Sequence, residues 1–158
     1  QLVGANVRKQ VEALKPKYDH IVIDTGGRDT TSQRAALFVA DVALIPIQPR
    51  SHDIWTVTRL TAIIDEINSA RLEPLHCYAF LNRADITSVD NRESAEALSS
   101  IEQFNYIDIP IKNRKAYPNS GAQGLTVFEV TEKPDQKAID EISQLFKAIT
   151  HVHIPATV

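Results

Sequence analysis

Apolar residues along the chain follow two spacings. Helical spacing of apolar positions predicts amphipathic helices, and short apolar runs rich in β-branched residues predict buried strands. The helical pattern covers residues 6–14, 34–40, 51–70, 91–101 and 133–152. The strand pattern covers residues 20–24, 41–49, 74–82 and 104–111. A long polar segment at 112–130 reads as irregular, with room for one short helix.

Strands and helices alternate along the whole sequence. Nearly continuous apolar strands joined by helices predict an α/β fold with an open, mostly parallel sheet and helices on both faces. In such sheets ligands bind at the carboxyl ends of the strands. The pattern favours one domain over residues 1–158. The inward face of the last helix is predicted to contain Ile139, Ile142, Leu145, Phe146 and Ile149.

Composition restricts the partners and the cellular compartment that we expect for the protein. The formal net charge is -3, so any contact with nucleic acid requires a local basic patch. The single cysteine, Cys77, allows no intrachain disulfide and favours a reducing compartment. No apolar run approaches the roughly 20 residues of a membrane span, and no signal peptide is visible. We therefore expect a cytoplasmic protein without membrane contact.

The segment YDHIVIDTGG gives the strongest chemical signal. A predicted strand ends at the carboxylate of Asp24, and the glycines Gly26 and Gly27 follow at once. In nucleoside triphosphatases a carboxylate in this place holds hydrated Mg²⁺, and glycines let the backbone approach a γ-phosphate. A strand-ending aspartate that caps a turn is the alternative interpretation.

Two further strand ends are candidates for binding. In ADVALIPIQPRSHDIW, prolines make the loop rigid, and Arg50 and Arg59 lie near it. This surface either meets a partner subunit or DNA, or is a rigid connection with solvated charges. In AFLNRAD, the amide of Asn82 suits the edge of a purine base, although a turn-forming asparagine fits as well.

A basic cluster lies in IKNRKAYPNSGAQGLTVFE. It contains Lys112, Arg114 and Lys115, with Tyr117 beside them. Such a cluster faces nucleotide, DNA or only water, and a solvated loop is the default interpretation.

Taken in order, these segments resemble the later two-thirds of a ParA-type, deviant Walker A partition ATPase, closest to the short plasmid-encoded branch typified by ParF. By resemblance, YDHIVIDTGG corresponds to the Walker B strand and switch loop, in which Asp24 orients water on Mg²⁺ and Gly26 and Gly27 form the γ-phosphate switch. Asn82 would lie near the adenine of ATP or ADP, with Pro110 and Ile111 on the other side of the base. Arg50, Arg59 and Arg114 are candidates for a DNA or subunit interface.

The resemblance implies a plasmid or chromosome partition ATPase that depends on ATP and Mg²⁺. Its implied partners are a second copy of itself, in a dimer or polymer, non-specific DNA and a centromere-binding ParB-like protein. The chain departs from the family because no G-x-x-x-x-G-K-[ST] phosphate loop occurs in it. That loop is expected before Gln1, so we expect these residues alone not to hydrolyse ATP.

Two other functions remain open at this stage. One is a related ATPase that regulates placement of the division site. The other is a degenerate, non-enzymatic α/β interaction module, for which the absence of a phosphate loop from the sequence would be natural.

Overall fold

The computed structural model describes residues 4, 6–26, 30–49, 53–86 and 88–153, with side chains omitted at 53–56 and 151–153. The helices are α1 Asn6–Leu14, α2 Thr31–Val39, α3 Asp53–Ser69, α4 Val89–Ser99, α5 Ala116–Ala122 and α6 Gln136–His153. The strands are β1 Val42–Ile47, β2 His76–Ala84, β3 Asn105–Tyr106 and β4 Ile111–Lys112. A 3-10 turn, Lys15–Lys17, follows α1.

The strands of the described part form a sheet in the order β1-β2-β3, and β4 also pairs with β2. Both β3 and β4 run parallel to β2, with Tyr78 opposite Asn105 and Asn82 opposite Ile111. Helices separate most of these strands along the chain. The predicted α/β fold with a parallel sheet is therefore confirmed.

Contacts divide the chain into two compact units. The first contains residues 1–43 and 54–77, and the second contains residues 44–53 and 78–158. Helices α1 and α2 pack together in the first unit around four buried residues: Val7, Val11, Ala36 and Val39. In the second unit, α6 packs on β4 around Phe80, Ile111 and Leu145. The single domain expected over 1–158 stays a prediction.

Local chemistry explains where two helices begin. Helix α2 begins three residues before the apolar pattern of residues 34–40, because the Thr30 hydroxyl accepts a hydrogen bond from the amide of Gln33. Ser88 caps α4 in the same way through the amide of Asp90. Each cap satisfies a backbone donor that the first helical turn leaves open.

The predicted strand at 20–24 is wrong. These residues form neither strand nor helix, and Val22 is 94% exposed. The side chains of Ile21 and Ile23 still pack against the α1–α2 core. The apolar residues of this segment are thus accounted for by packing on one side. A strand also needs a hydrogen-bonded neighbour. The sheet of the described residues consists of β1 to β4 and does not include this segment.

The strand predicted at 104–111 is interrupted. It forms the two short strands β3 and β4, and residues 107–110 belong to neither, although the amide of Ile107 still donates to the carbonyl of Ala79 at 2.8 Å. The amide of Ile109 bonds to the carbonyl of Ile107 at 2.8 Å, which is a tight local turn. Pro110 has no amide hydrogen to continue a ladder.

Helix α6 differs from prediction at one position. Leu145 is buried, and Ile139, Ile142 and Ile149 are half-buried, but Phe146 is 64% exposed. No helix within the described ranges is both long enough and apolar enough to span a bilayer.

Candidate functional site

Asp24 lies in residues 20–26, a described stretch after the 3-10 turn that contains neither helix nor strand, within the first unit. Side chains alternate along this extended stretch: Ile21 and Ile23 pack on the α1–α2 core, whereas Asp24 is exposed. Packing of the odd positions therefore holds the segment while leaving the carboxylate of Asp24 accessible.

The residues after Asp24 are only partly described. Gly26 is exposed, and no heavy atom lies within 4 Å of where a Cβ would be added to it. Gly27 lies outside the described residues, so its place in the predicted switch stays a prediction.

Asp24 fits the kind of magnesium site that the sequence suggests. The described ranges hold no group of three or more His, Cys, Asp or Glu able to bind a metal ion. Magnesium in ATPases is commonly held by one or two carboxylates together with water and substrate phosphates. An accessible, single carboxylate such as Asp24 suits that mode and would not suit a metal site built from protein ligands alone.

The three residues suggested for base binding meet in the second unit. Asn82 in β2 lies opposite Ile111, the first residue of β4, and Pro110 directly precedes it. Asn82 is half-buried, and its Oδ1 accepts a hydrogen bond of 3.0 Å from the amide of Arg83. The side-chain NH₂ group has no part in that bond, and the amide nitrogen is the donor that a base acceptor needs.

The ladder between β2 and β4 is irregular at this point. The register shifts between Asn82 and Ala84, and the intervening Arg83 has a φ of 53°, in the left-handed region. A non-glycine residue in this conformation is uncommon, and bulges of this kind redirect side chains at the ends of strands. The amide of Asn113 closes the ladder by bonding to the carbonyl of Ala84 at 2.9 Å.

A polar network that the sequence did not reveal follows β4. Glu141 of α6 accepts hydrogen bonds from Arg114 Nε at 2.9 Å and Nη2 at 2.6 Å. Its other oxygen accepts from the amide of Lys112 at 3.1 Å and from the Tyr117 hydroxyl at 3.0 Å. The hydrogen bond to Glu141 raises the pKa of Arg114, while burial is the main cause of the raised pKa of Tyr117.

A sequence signal for Glu141 did exist. It lies one helical turn from Ala138 and one from Leu145, both of which are buried, so a carboxylate occurs on the inward stripe of α6. A charged residue in such a position requires a partner, but the pattern alone does not identify Arg114 as that partner.

The three arginines suggested for an interface have different outcomes. Arg59 is exposed on α3, in the first unit. Arg114 is paired with Glu141 in the second unit. Arg50 lies outside the described residues. A DNA or subunit contact at these positions stays a prediction.

Comparison with known proteins gives two matches. Residues 4–76 match the family described as AAA domain. The fold resembles that of a plasmid partition protein from Borrelia burgdorferi, with a TM-score of 0.58 and 16% sequence identity over 90% of this chain. This chain covers 52% of that protein, about half of its length. The search of curated proteins found no match. The structural likeness shows that the two proteins share a fold, and the family match is confined to residues 4–76.

Proposed function

We propose that the chain is part of a DNA-segregation ATPase of the ParA type. The observation on which this rests most is the likeness in fold to a plasmid partition protein over nearly the whole chain. The AAA domain match over residues 4–76 agrees with a nucleotide-dependent function. In the complete protein, ATP and Mg²⁺ would drive self-association on DNA together with a ParB-like partner.

The nucleotide base would bind at the β2–β4 end. This is where parallel strands of the second unit end, and ligands of open α/β sheets bind outside such ends. Asn82 would donate to the base from its amide nitrogen, and the backbone around Pro110 and Ile111 would form the other side of the pocket. Ile111 is buried against Phe80 and Leu145, so the backbone beside it is held in place.

Asp24 and the two glycines would act on the phosphates. The exposed carboxylate of Asp24 would accept hydrogen bonds from water around Mg²⁺, and the absence of side chains at Gly26 and Gly27 would let the backbone approach the γ-phosphate. Magnesium supplies charge neutralisation on the phosphates when it is bound. Phosphoryl transfer depends mainly on such positioning and electrostatics.

Steady-state ATP hydrolysis by the full-length protein tests the proposal. We expect Mg²⁺-dependent hydrolysis in the wild type and a fall on the order of 100-fold in Asp24→Asn, since one electrostatic group is removed. Asp19→Asn is the matched control, because Asp19 is also exposed and lies in the same segment. A wild type without ATPase activity contradicts the proposal, and equal rates in the two variants contradict the role of Asp24.

A further inference from the structure

The carboxylate of Glu141 is the centre of the segment that follows β4. It accepts four hydrogen bonds, two from the Arg114 guanidinium, one from the backbone of Lys112 and one from the Tyr117 hydroxyl. These donors lie on β4, on the loop after it and on α5, whereas Glu141 itself lies on α6. One side chain therefore connects Lys112, Arg114 and Tyr117 to the last helix.

The ion pair at the centre of this network is largely removed from water. The Arg114 side chain is 19% exposed and that of Glu141 is 16% exposed. Charge-assisted hydrogen bonds in such surroundings are stronger than neutral ones. Loss of one partner also leaves the other charge buried without compensation. The path of residues 112–117 thus depends on the negative charge of Glu141.

We infer that Glu141 is a positioning residue for nucleotide-base binding. Its hydrogen bond to the amide of Lys112 is made directly beside Ile111, which lies opposite Asn82. Displacement of Lys112 would shift Pro110 and Ile111 away from Asn82 and open the base pocket. Glu141 touches no ligand in this account, and the inference rests on the base site of the proposed function.

The same geometry gives Arg114 a different role from the one its sequence context suggested. Nε and Nη2 of its guanidinium both donate to Glu141, and the Tyr117 hydroxyl binds the second oxygen of the same carboxylate. A DNA phosphate would have to compete with this pair. Arg114 therefore supports the base pocket together with Glu141. We expect its removal to weaken nucleotide binding more than DNA binding.

Competition binding against a fluorescent ATP analogue tests the inference in the full-length protein. Two dissociation constants are measured for each variant, one for ATP and one for tripolyphosphate, which has no base. Glu141→Gln removes the charge and keeps the shape. Asp140→Asn is the control, because Asp140 is an exposed carboxylate on the same helix.

We expect Glu141→Gln to weaken ATP binding about tenfold, the effect of one lost charge-assisted contact, and to leave tripolyphosphate binding unchanged. Asp140→Asn should leave both constants unchanged. Partial unfolding would lower the active fraction of the protein for both ligands equally. It would therefore not alter the ratio of the ATP dissociation constant to the tripolyphosphate dissociation constant. If Glu141→Gln does not fold, Tyr117→Phe removes a single donor and should weaken ATP binding relative to tripolyphosphate binding by a smaller factor.

The outcomes separate the inference from the function on which it rests. If the wild type binds ATP and the ratio in Glu141→Gln equals that in Asp140→Asn, the positioning role is wrong and the proposed function stands. If the substitution weakens both ligands by the same factor, Glu141 is merely structural and the inference is wrong. If the wild type binds neither ligand, the proposed function and the inference both fail.

Discussion

Arg71 Nη1 donates a hydrogen bond of 2.9 Å to the carbonyl oxygen of Ala40, the residue directly after α2. The two hydrogens of the same nitrogen are shared among this carbonyl and those of Leu37 and Phe38, and Nε donates to the carbonyl of Glu73 at 2.9 Å. The last carbonyls of a helix have no intrahelical donor. Arg71 therefore closes the carboxyl-terminal end of α2 from a distant part of the chain.

Loss of this contact should destabilise the protein. We expect Arg71→Met, which keeps an apolar stem, to lower the free energy of unfolding by about 1–3 kcal/mol, since half-buried carbonyls lose a charged donor. Urea denaturation of the full-length protein measures the change.

Arg92→Met serves as the control for Arg71. Arg92 and Glu96 are both more than 70% exposed and only 4.0 Å apart at their charged atoms. We expect a change within about 0.5 kcal/mol for this pair. Equal effects of the two substitutions would show that Arg71 does not close α2 as described.

The thiol of Cys77 should be protected from alkylation. Burial raises the pKa of Cys77 from 9.0 to about 11, and only 1% of the residue is exposed. Because thiolate is the reactive form, iodoacetamide at pH 9 should label the native protein far more slowly than the urea-unfolded protein. Cys77 is the single cysteine of this sequence, so the mass increase of a peptide that contains it measures its alkylation. Similar rates in both states would contradict the burial of Cys77.

The raised pKa of Cys77 also predicts a pH dependence of stability. A folded-state pKa above the unfolded value means that the neutral thiol is favoured by folding. This contribution is fully present below pH 9.0 and is lost as the pH rises to about 11. Cys77→Ala should therefore lose less stability than the wild type between these two pH values, as measured by urea denaturation. An identical loss in both proteins would count against the shift.

Substitution of Gly26 separates a structural role from a ligand role. The space around Gly26 is open and its φ is not in the left-handed region, so Gly26→Ala should leave the free energy of unfolding within about 0.5 kcal/mol of the wild type. If the backbone at Gly26 approaches a γ-phosphate, ATP should bind more weakly and ADP should not. Calorimetric titration with each nucleotide measures this difference. Unchanged ATP binding would remove Gly26 from the phosphate site.

The core of α3 offers a test of the fold itself. Ile64 is 1% exposed, whereas Leu72 is fully exposed. Ile64→Ala should lower the free energy of unfolding by about 2–5 kcal/mol, because it leaves a cavity, and Leu72→Ala should change it by less than about 0.5 kcal/mol. Thermal melts of the two variants measure this contrast. Its reversal would contradict the packing of α3.

The sequence predicted those helices and strands that depend on residues close together in the chain. Helix α1 follows from the spacing of Val7 and Val11 and from the nearby Pro16, and β2 follows from its apolar run around Leu81. The short helix allowed within the irregular late segment is α5, Ala116–Ala122. These features need no information about distant residues.

Non-local contacts explain what the sequence did not predict. Residues 20–24 have a strand-like composition but no pairing strand in the described sheet, and pairing is a property of two segments. The pair of Arg114 and Glu141 likewise joins residues far apart in sequence. The family resemblance placed Asn82 and Ile111 at one base pocket but did not predict that they are partners in a ladder, because neither residue alone specifies the register of β2 and β4.

Calorimetric titration of the full-length protein with ATP, with and without Mg²⁺, tests the central claim most directly. The account predicts saturable ATP binding that strengthens with Mg²⁺ and weakens in Asp24→Asn. Absence of ATP binding up to about 1 mM, the upper range of common substrate affinities, would contradict it and would favour an α/β module that acts through protein contacts alone.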